Sequence, residues 1–249
     1  MKLNTNANGY IIIYSCLMVV IVAFLLAFVS SALKPQQDIN VALDKKKQVL
    51  AALNIRDLSD SEAEKKYGEV VKKDEAFTLN SSDYKEGRLA IYECEVDGAK
   101  KYVVPVYGMG LWGPIWGYVA VNDDCNTVYG AYFNHESETA GLGAEIKDSQ
   151  AWQEKFIGKK LFKGSDYANV ALSVVKKVDD PETQVDCVTG ATLTSNGVDA
   201  MLKDCLKNFS KQLNTAACCA TEETGSCCAE GEKKDCCSES ETKTTEEEE

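Results

Sequence analysis

The feature that most constrains this chain is a long uncharged run near its start. No charged residue occurs in residues 3–33, and Lys2 and Lys34 bracket the run. Its most apolar part, residues 11–29, has nearly the length of about 20 residues that a helix needs to cross the hydrocarbon core of a bilayer. We therefore expect a single transmembrane helix over residues 10–33, after a short N-terminal flank at residues 1–9, and contact with membrane lipid.

A cleaved signal peptide is the alternative interpretation of this segment. Ser30-Ser31-Ala32 would make a passable cleavage site. The apolar region of a signal peptide is usually about 7–15 residues long, however, and the run here is longer. An uncleaved anchor is therefore favoured.

The charge of the chain is concentrated at its C-terminal end. The net charge is −12, and residues 215–249 hold 11 acidic residues and 3 lysines, which leaves the remainder only weakly acidic. A chain without a basic stripe is a poor nucleic-acid binder, because such affinity comes mainly from Lys and Arg on phosphates. The single His excludes a multi-histidine metal centre, and we predict no metal site in the folded part.

The hydrophobic pattern after the anchor changes from helical to alternating. Helical spacing predicts helices at residues 39–53, 61–73 and 149–156, and alternation predicts strands at 88–96, 102–107, 115–121, 127–133 and 170–175. Asp97-Gly98 and Asn122-Asp123-Asp124 are turn signals. The prediction is an α+β fold with a largely antiparallel sheet and packed helices. Residues 34–87 would form a helical linker or subdomain and residues 88–214 the main domain.

Two further patterns lie near the C-terminus. An apolar stripe over residues 198–213 predicts one face of an amphipathic helix, with Thr194, Ser195 or Asn196 as its cap. Beyond it, three cysteine pairs recur every nine residues, beginning at Cys218. We predict that the acidic tail, residues 215–249, is disordered. Its vicinal thiols could bind soft metals, or the tail could be a solvated extension without a role in the core function.

The segment Asp186-Cys-Val-Thr-Gly-Ala-Thr192 carries the most chemical information. The pattern predicts a loop of small residues that follows a strand and leads into a helix. Gly190 permits a close backbone approach, and the unpaired amides of a helix start suit a phosphate. Thr192 places a hydroxyl at the same point. A routine helix cap rich in Thr and Ser is the plain alternative.

This segment resembles the flavin-attachment motif of the FMN-binding subunits of the Nqr and Rnf complexes. In that family the last Thr of an Asp-containing Ser/Thr-Gly-Ala-Thr motif is joined to FMN through a phosphoester. The resemblance implies covalent FMN on Thr192, with Asp186, Thr189, Gly190 and Ala191 completing the motif. It also implies a separate flavin transferase that uses FAD as the donor.

Residues 135–143 resemble a second segment of the same family, which lies against the flavin. The resemblance implies flavin contacts at Glu138, Thr139, Gly141 and Leu142. Ala140 stands where the family commonly has Pro, so this loop would be less stiff. His135 is better explained as a structural histidine than as a catalytic base, and we predict no catalytic acid or base in this chain.

Residues 107–117 are similar to the Gly-Leu-Trp-Gly region of the NqrC proteins, and this favours Nqr over Rnf. Glycines there allow tight turns, and the Trp rings, Trp112 first, could form a wall beside the flavin ring. A hydrophobic hairpin with ordinary aromatic packing is the alternative.

The resemblance implies a subunit of an NADH:ubiquinone reductase (Na(+)-transporting) that relays electrons through its FMN to other Nqr subunits. The complex couples quinone reduction to Na+ export, and the flavin domain lies on the periplasmic side of the inner membrane. The lysines that follow the anchor slightly favour the opposite orientation, although flanking charge is only a bias. Three other interpretations stay open: an Rnf flavin subunit, a membrane-tethered metal-binding protein and an inert scaffold subunit.

Overall fold

The computed structural model describes residues 8–74, 90–164 and 166–220. The chain divides into two units, residues 1–212 and residues 213–249. The second unit is described only as helical backbone up to Ala220. Every side chain discussed below belongs to the first unit.

The first element is a single helix that is far longer than an anchor requires. Helix α1 spans Asn8–Ala52 and contains Pro35. Its apolar part is long and hydrophobic enough to cross a membrane and is exposed throughout. The helix expected at residues 39–53 is therefore continuous with the expected transmembrane helix, even though Pro35 removes one amide donor between them.

Within the described residues, five strands form an antiparallel sheet in sequence order. They are β1 (Val71–Asp74), β2 (Tyr92–Val96), β3 (Ala99–Met109), β4 (Pro114–Asn122) and β5 (Val128–His135). Strands β2 and β3 meet at Asp97 and Gly98, whose φ angles of 52° and 75° are typical of the tight hairpin turn that the sequence predicts. The longest pairing joins β3 to β4 in the middle of the sheet, with Val103 opposite Ala120.

One face of the sheet packs against the end of α1 and against helix α2, which spans Asp60–Val70. Val49, Leu50 and Leu53 of α1 are almost fully buried there. Trp116 of β4 donates its indole N–H to Gln48 Oε1 at 3.1 Å, which fixes the helix on the sheet. Helix α1 is therefore both the candidate anchor and part of the domain core.

The second half of the first unit adds short helices, small sheets and the last helix. The elements are α3 (Glu145–Asp148), α4 (Gln150–Glu154), β6 (Phe162–Lys163), β7 (Asp166–Val170), β8 (Ser173–Val175), β9 (Gln184–Asp186) and α5 (Thr192–Ala220). Strands β6 and β7 are antiparallel, and β8 and β9 are parallel. Phe133 of β5 packs against Trp152 and Phe156, with ring centroids 5.6 Å and 5.1 Å apart. This aromatic cluster joins α4 to the main sheet.

Helix α5 buries the stripe that the sequence predicts, and it does so against the end of β3. Val198, Met201, Leu202, Leu206 and Phe209 are all almost fully inaccessible. A Cβ added at Gly108 would lie 2.7 Å from Met201 Cβ, so helix and strand touch closely there. The predicted amphipathic face is confirmed for the residues whose side chains are described.

Several expected boundaries differ from the structure. The helix expected at residues 61–73 ends at Val70, because Val71 begins a strand that pairs with Cys94 of β2. The strand expected at residues 170–175 is two strands, β7 and β8, which belong to different sheets. Helix α5 continues to Ala220, beyond the predicted start of the tail at residue 215. The flank before residue 8, the first two residues of the strand expected at 88–96 and the tail after residue 220 lie outside the described residues.

Candidate functional site

The loop between β9 and α5 forms a tight turn at Gly190 that places Thr192 as the first residue of the helix. Gly190 has a φ of 80°, and an added Cβ would meet Leu142 Cδ2 at 2.9 Å. The Ala191 amide donates to the Val188 carbonyl at 3.1 Å, which closes the turn. Thr192 is partly exposed beside this turn, so its hydroxyl lies at a helix start, where backbone amides lack partners within the helix.

Buried hydroxyls behind Thr192 tie the first turn of α5 to its surroundings. Ser195 Oγ accepts from the Val188 amide at 3.1 Å, and Thr194 Oγ1 donates to Glu138 Oε2 at 2.6 Å. The expectation that Thr194, Ser195 or Asn196 caps the helix is wrong, because α5 begins at Thr192. The Ser195 hydroxyl instead bonds the loop that precedes α5, and the Thr194 hydroxyl bonds Glu138 in the loop after β5.

Asp186 lies at the end of β9 and is held from the side of α4. Its carboxylate accepts from Lys155 Nζ at 2.8 Å, and its backbone carbonyl accepts from the Trp152 indole N–H at 2.8 Å. A cleft of about 270 Å³ opens between α4 and the loop, and Asp186 and Thr189 are among the residues that line it. The acidic residue of the motif thus lies at a cleft next to the turn that presents Thr192.

Glu138 is the buried centre of the region. Its Oε1 accepts from the Trp112 amide at 2.8 Å, and its Oε2 accepts from Thr194. Burial alone would raise the pKa of this carboxyl. Hydrogen bonds from the Thr194 hydroxyl and from the backbone amides of Trp112, Leu111 and Gly113 outweigh burial and hold its pKa below the ordinary value. Glu138 is therefore a carboxylate anion at neutral pH.

The loop that follows Glu138 folds around the Thr139 carbonyl. This carbonyl accepts from the amides of Leu142 at 3.1 Å and Ala144 at 3.0 Å, and Gly141 has a φ of 72°. Leu142 remains exposed and reaches toward Gly190. The loop therefore brings an apolar side chain to the turn that presents Thr192.

The turn between β3 and β4 forms another wall of the region. The Gly110 amide donates to the Gly113 carbonyl at 2.8 Å, and the Trp112 side chain is 68% exposed. Gly197 of α5 packs against the backbone of Met109 and Gly110. Trp112 is thus presented beside the start of α5. Trp116, the second Trp within residues 107–117, is hydrogen-bonded to Gln48 of α1 instead.

The remaining candidate groups are His135 and the cysteines. His135 Nδ1 accepts from the Glu138 amide at 3.2 Å, which is a structural contact. Five cysteines in the described part of the chain are free thiols: Cys16, Cys94, Cys125, Cys187 and Cys205. No cluster of three or more His, Cys, Asp or Glu residues that could hold a metal occurs within the described ranges.

Comparison with known proteins connects this arrangement to a flavin. A model of the FMN-binding domain family matches residues 110–207, which include every candidate site residue from Trp112 to Thr192. The NqrC protein of the Na(+)-translocating NADH-quinone reductase of Haemophilus ducreyi is 31% identical over 238 residues, covering 81% of this chain and 91% of the relative. The NqrC protein of Vibrio anguillarum is 45% identical over 104 residues, covering 41% of this chain and 40% of the relative.

This chain belongs to the NqrC family of the Na(+)-translocating NADH-quinone reductases. Solved structures of the family share its fold. The crystal structure of NqrC from Parabacteroides distasonis matches with a TM-score of 0.63 and 37% identity, covering 73% of this chain and 96% of that one. The crystal structure of Shewanella oneidensis NqrC matches with a TM-score of 0.55 and 25% identity, covering 69% and 97%.

Membership in the NqrC family confirms the predicted fold class and agrees with α1 as a candidate membrane anchor. An α+β domain with an antiparallel sheet follows one apolar N-terminal helix, as the sequence predicts. A single-pass anchor fits one protein of a membrane complex. Sequence reasoning missed Trp152 and Lys155, which bond Asp186 from a distant part of the chain, and Gly197, which packs α5 against the turn between β3 and β4. No local pattern marks these residues.

Proposed function

We propose that this chain carries FMN covalently, through a phosphoester between the flavin phosphate and the Thr192 hydroxyl. The observation that carries the proposal is the position of Thr192. It is the partly exposed first residue of α5, directly after a left-handed glycine turn. A phosphate bonded there would face the unpaired amides and the positive end of the helix dipole.

The surroundings of Thr192 fit both parts of the cofactor. Thr189, Gly190 and Ala191 form the turn beside the phosphate position, and the absence of a side chain at Gly190 lets Leu142 pack against this turn. Thr139, Gly141 and Leu142 form one side of the proposed ring site, and the exposed Trp112 ring supplies an apolar surface on another. Asp186, bonded to Lys155, would be the acidic element that a modifying enzyme recognises.

Attachment requires no redox change in this chain. The Thr192 hydroxyl oxygen bonds to the FMN phosphorus of FAD, the phosphoanhydride bond breaks, AMP leaves and the hydroxyl proton is released. A separate flavin transferase would catalyse this exchange. Once bound, FMN supplies the electron-transfer chemistry, while the protein holds the ring in place and sets its electrostatic surroundings.

In the complex, this protein would relay electrons between redox centres of neighbouring subunits on the way to quinone. The complex would act as an NADH:ubiquinone reductase that exports Na+. Helix α1 would hold the protein in the inner membrane in contact with lipid, with the flavin domain on the periplasmic side. Covalent attachment suits that compartment, since a dissociated flavin could not be replaced there from a free pool. The attachment motif also fits an Rnf flavin subunit, but the names of the relatives favour Nqr.

Fluorescence on a denaturing gel tests the attachment. The full chain is coexpressed with a flavin transferase as wild type, Thr192→Leu and Thr192→Ser, and the gel is viewed under ultraviolet light. We expect fluorescent bands for the wild type and Thr192→Ser, which keeps a hydroxyl, and none for Thr192→Leu. A dark wild-type band, in cells where the transferase labels a known substrate, would refute the proposal.

A further inference from the structure

We propose that Glu138 is a positioning residue that fixes the start of α5, and with it Thr192, relative to the turn that carries Trp112. The inference rests on the proposed function, because it assigns Glu138 a part in placing the flavin. It differs from the flavin contact that the family resemblance implies, since Glu138 acts here through two other protein groups.

The contacts of Glu138 join three segments that are distant in sequence. One carboxylate oxygen accepts from the Thr194 hydroxyl of α5 at 2.6 Å, and the other accepts from the Trp112 amide at 2.8 Å. The Glu138 amide donates to His135 Nδ1 at 3.2 Å, which fixes the residue at the end of β5. One side chain thus links the first turn of α5 to the hairpin turn that carries Trp112.

The backbone at two glycines lies close against the Glu138 carboxylate. A Cβ at Gly110 would lie 2.5 Å from Glu138 Oε1. A Cβ at Gly143 would lie 2.5 Å from Oε2 and 2.6 Å from Thr194 Oγ1. The backbone at Gly110 and at Gly143 therefore contacts the Glu138 carboxylate from two sides. Such close contacts favour one position of the carboxylate.

The burial of Glu138 explains why it acts through other groups. The residue is only 7% exposed, and each carboxylate oxygen already has a protein donor. Its ionised state strengthens those bonds, because hydrogen bonds to a charged acceptor are shorter and stronger than neutral ones. Thr194 lies two residues after Thr192 in the same rigid helix. A shift of Thr194 therefore moves the attachment point, and a shift of the Trp112 amide moves the ring wall.

The test compares flavin transfer and flavin environment in the full chain coexpressed with a flavin transferase. The variants are Glu138→Gln, Thr194→Val, which removes only the hydroxyl, and Thr194→Ser, which restores it. Glu136→Gln is the matched control, because Glu136 is an exposed carboxylate on the same loop. The rate of flavin incorporation is measured first, followed by the visible circular dichroism of the bound flavin in the fully loaded proteins.

We expect Thr194→Val and Glu138→Gln to load flavin roughly tenfold more slowly, the factor that a lost hydrogen bond to a charged group commonly represents. Their flavin circular dichroism should differ from that of the wild type, which loss of stability alone would not change. Thr194→Ser and Glu136→Gln should match the wild type in both readouts. If Thr194→Val does not fold, the comparison of Glu138→Gln with the control Glu136→Gln tests the same positioning role.

Two results would overturn the inference, and they are distinguishable. Wild-type loading and wild-type circular dichroism in both Glu138→Gln and Thr194→Val would remove the positioning role while leaving covalent FMN on Thr192 intact. A wild-type chain that accepts no flavin, beside a control substrate that does, would overturn the proposed function and the positioning role together.

Discussion

At the scale of single residues, two glycines show how surroundings decide the effect of one substitution. Both lie inside helices, Gly68 in α2 and Gly197 in α5. A Cβ at Gly68 would meet nothing within 4 Å, whereas a Cβ at Gly197 would collide with the Met109 carbonyl and lie 3.2 Å from Gly110 Cα. Backbone atoms cannot rotate away as the end of a side chain can.

We therefore expect opposite signs for the two alanine variants. Gly68→Ala should stabilise the domain by about 0.5–1 kcal/mol, because alanine loses less backbone entropy in a helix. Gly197→Ala should destabilise it by about 1–3 kcal/mol, the usual cost of overpacking. Urea denaturation of the purified protein in detergent measures both, and equal shifts would contradict the close packing of α5 on the hairpin turn.

The ionisation of Glu138 predicts a pH-dependent contribution to stability. Its folded-state pKa lies below the ordinary value of 4.5, because donors from Thr194 and three backbone amides outweigh burial. The stabilisation is therefore complete above the ordinary pKa and is lost as the pH falls through the folded pKa.

Glu138→Gln should be less stable than the wild type at neutral pH, and the difference should shrink as the pH falls below 4.5. Denaturation curves collected at several pH values measure this trend, with Glu136→Gln as the control. A difference that stays constant or widens in acid would show that Glu138 does not ionise as described.

At the scale of elements, the sequence predicts those parts whose stabilisation is local. Alternation and an Asp-Gly turn signal locate β2 and β3, and the Asn122-Asp123-Asp124 cluster locates the turn between β4 and β5. Strand β1 escapes prediction because Val71–Asp74 follows a helix directly and becomes a strand only by pairing with β2. Pairing between distant residues has no local signal.

Helix α1 has a buried C-terminal end and an exposed middle part, and alanine substitutions in the two parts should differ in their effect on stability. Leu50 is 1% exposed in the core between α1 and the sheet, whereas Ile39 is 61% exposed on the same helix. Leu50→Ala should cost about 2–5 kcal/mol through lost burial and the cavity left behind. Ile39→Ala should change stability by no more than about 0.5 kcal/mol. Thermal unfolding of both variants compares them, and a large loss for Ile39→Ala would mean that this part of α1 is packed against protein.

At the scale of the whole molecule, sequence reasoning identifies the loops that meet at the site but not how they are joined. The three motif segments lie far apart along the chain, and their meeting depends on β3, β4 and α5 packing together. The resemblance marks Glu138 without revealing that it bonds Thr194 and the Trp112 amide. Likewise, the link from Lys155 to Asp186 crosses 31 positions of sequence.

The orientation of the chain in the membrane is a further property of the whole molecule. If the flavin domain is periplasmic, protease added to intact spheroplasts should digest it while a cytoplasmic marker protein survives. Disruption of the spheroplasts should leave the domain's cleavage unchanged and expose the marker. Complete protection of the domain until disruption would place it in the cytoplasm, as the lysines after the anchor slightly favour.

The most direct test of covalent FMN on this protein is the mass of the peptide that contains Thr192. The chain is coexpressed with a flavin transferase, digested and analysed by tandem mass spectrometry. We predict a peptide heavier by FMN less one water, with fragment ions that assign the added mass to Thr192. An unmodified peptide, or FMN assigned to Thr189 or Thr194 instead, would contradict the proposed attachment.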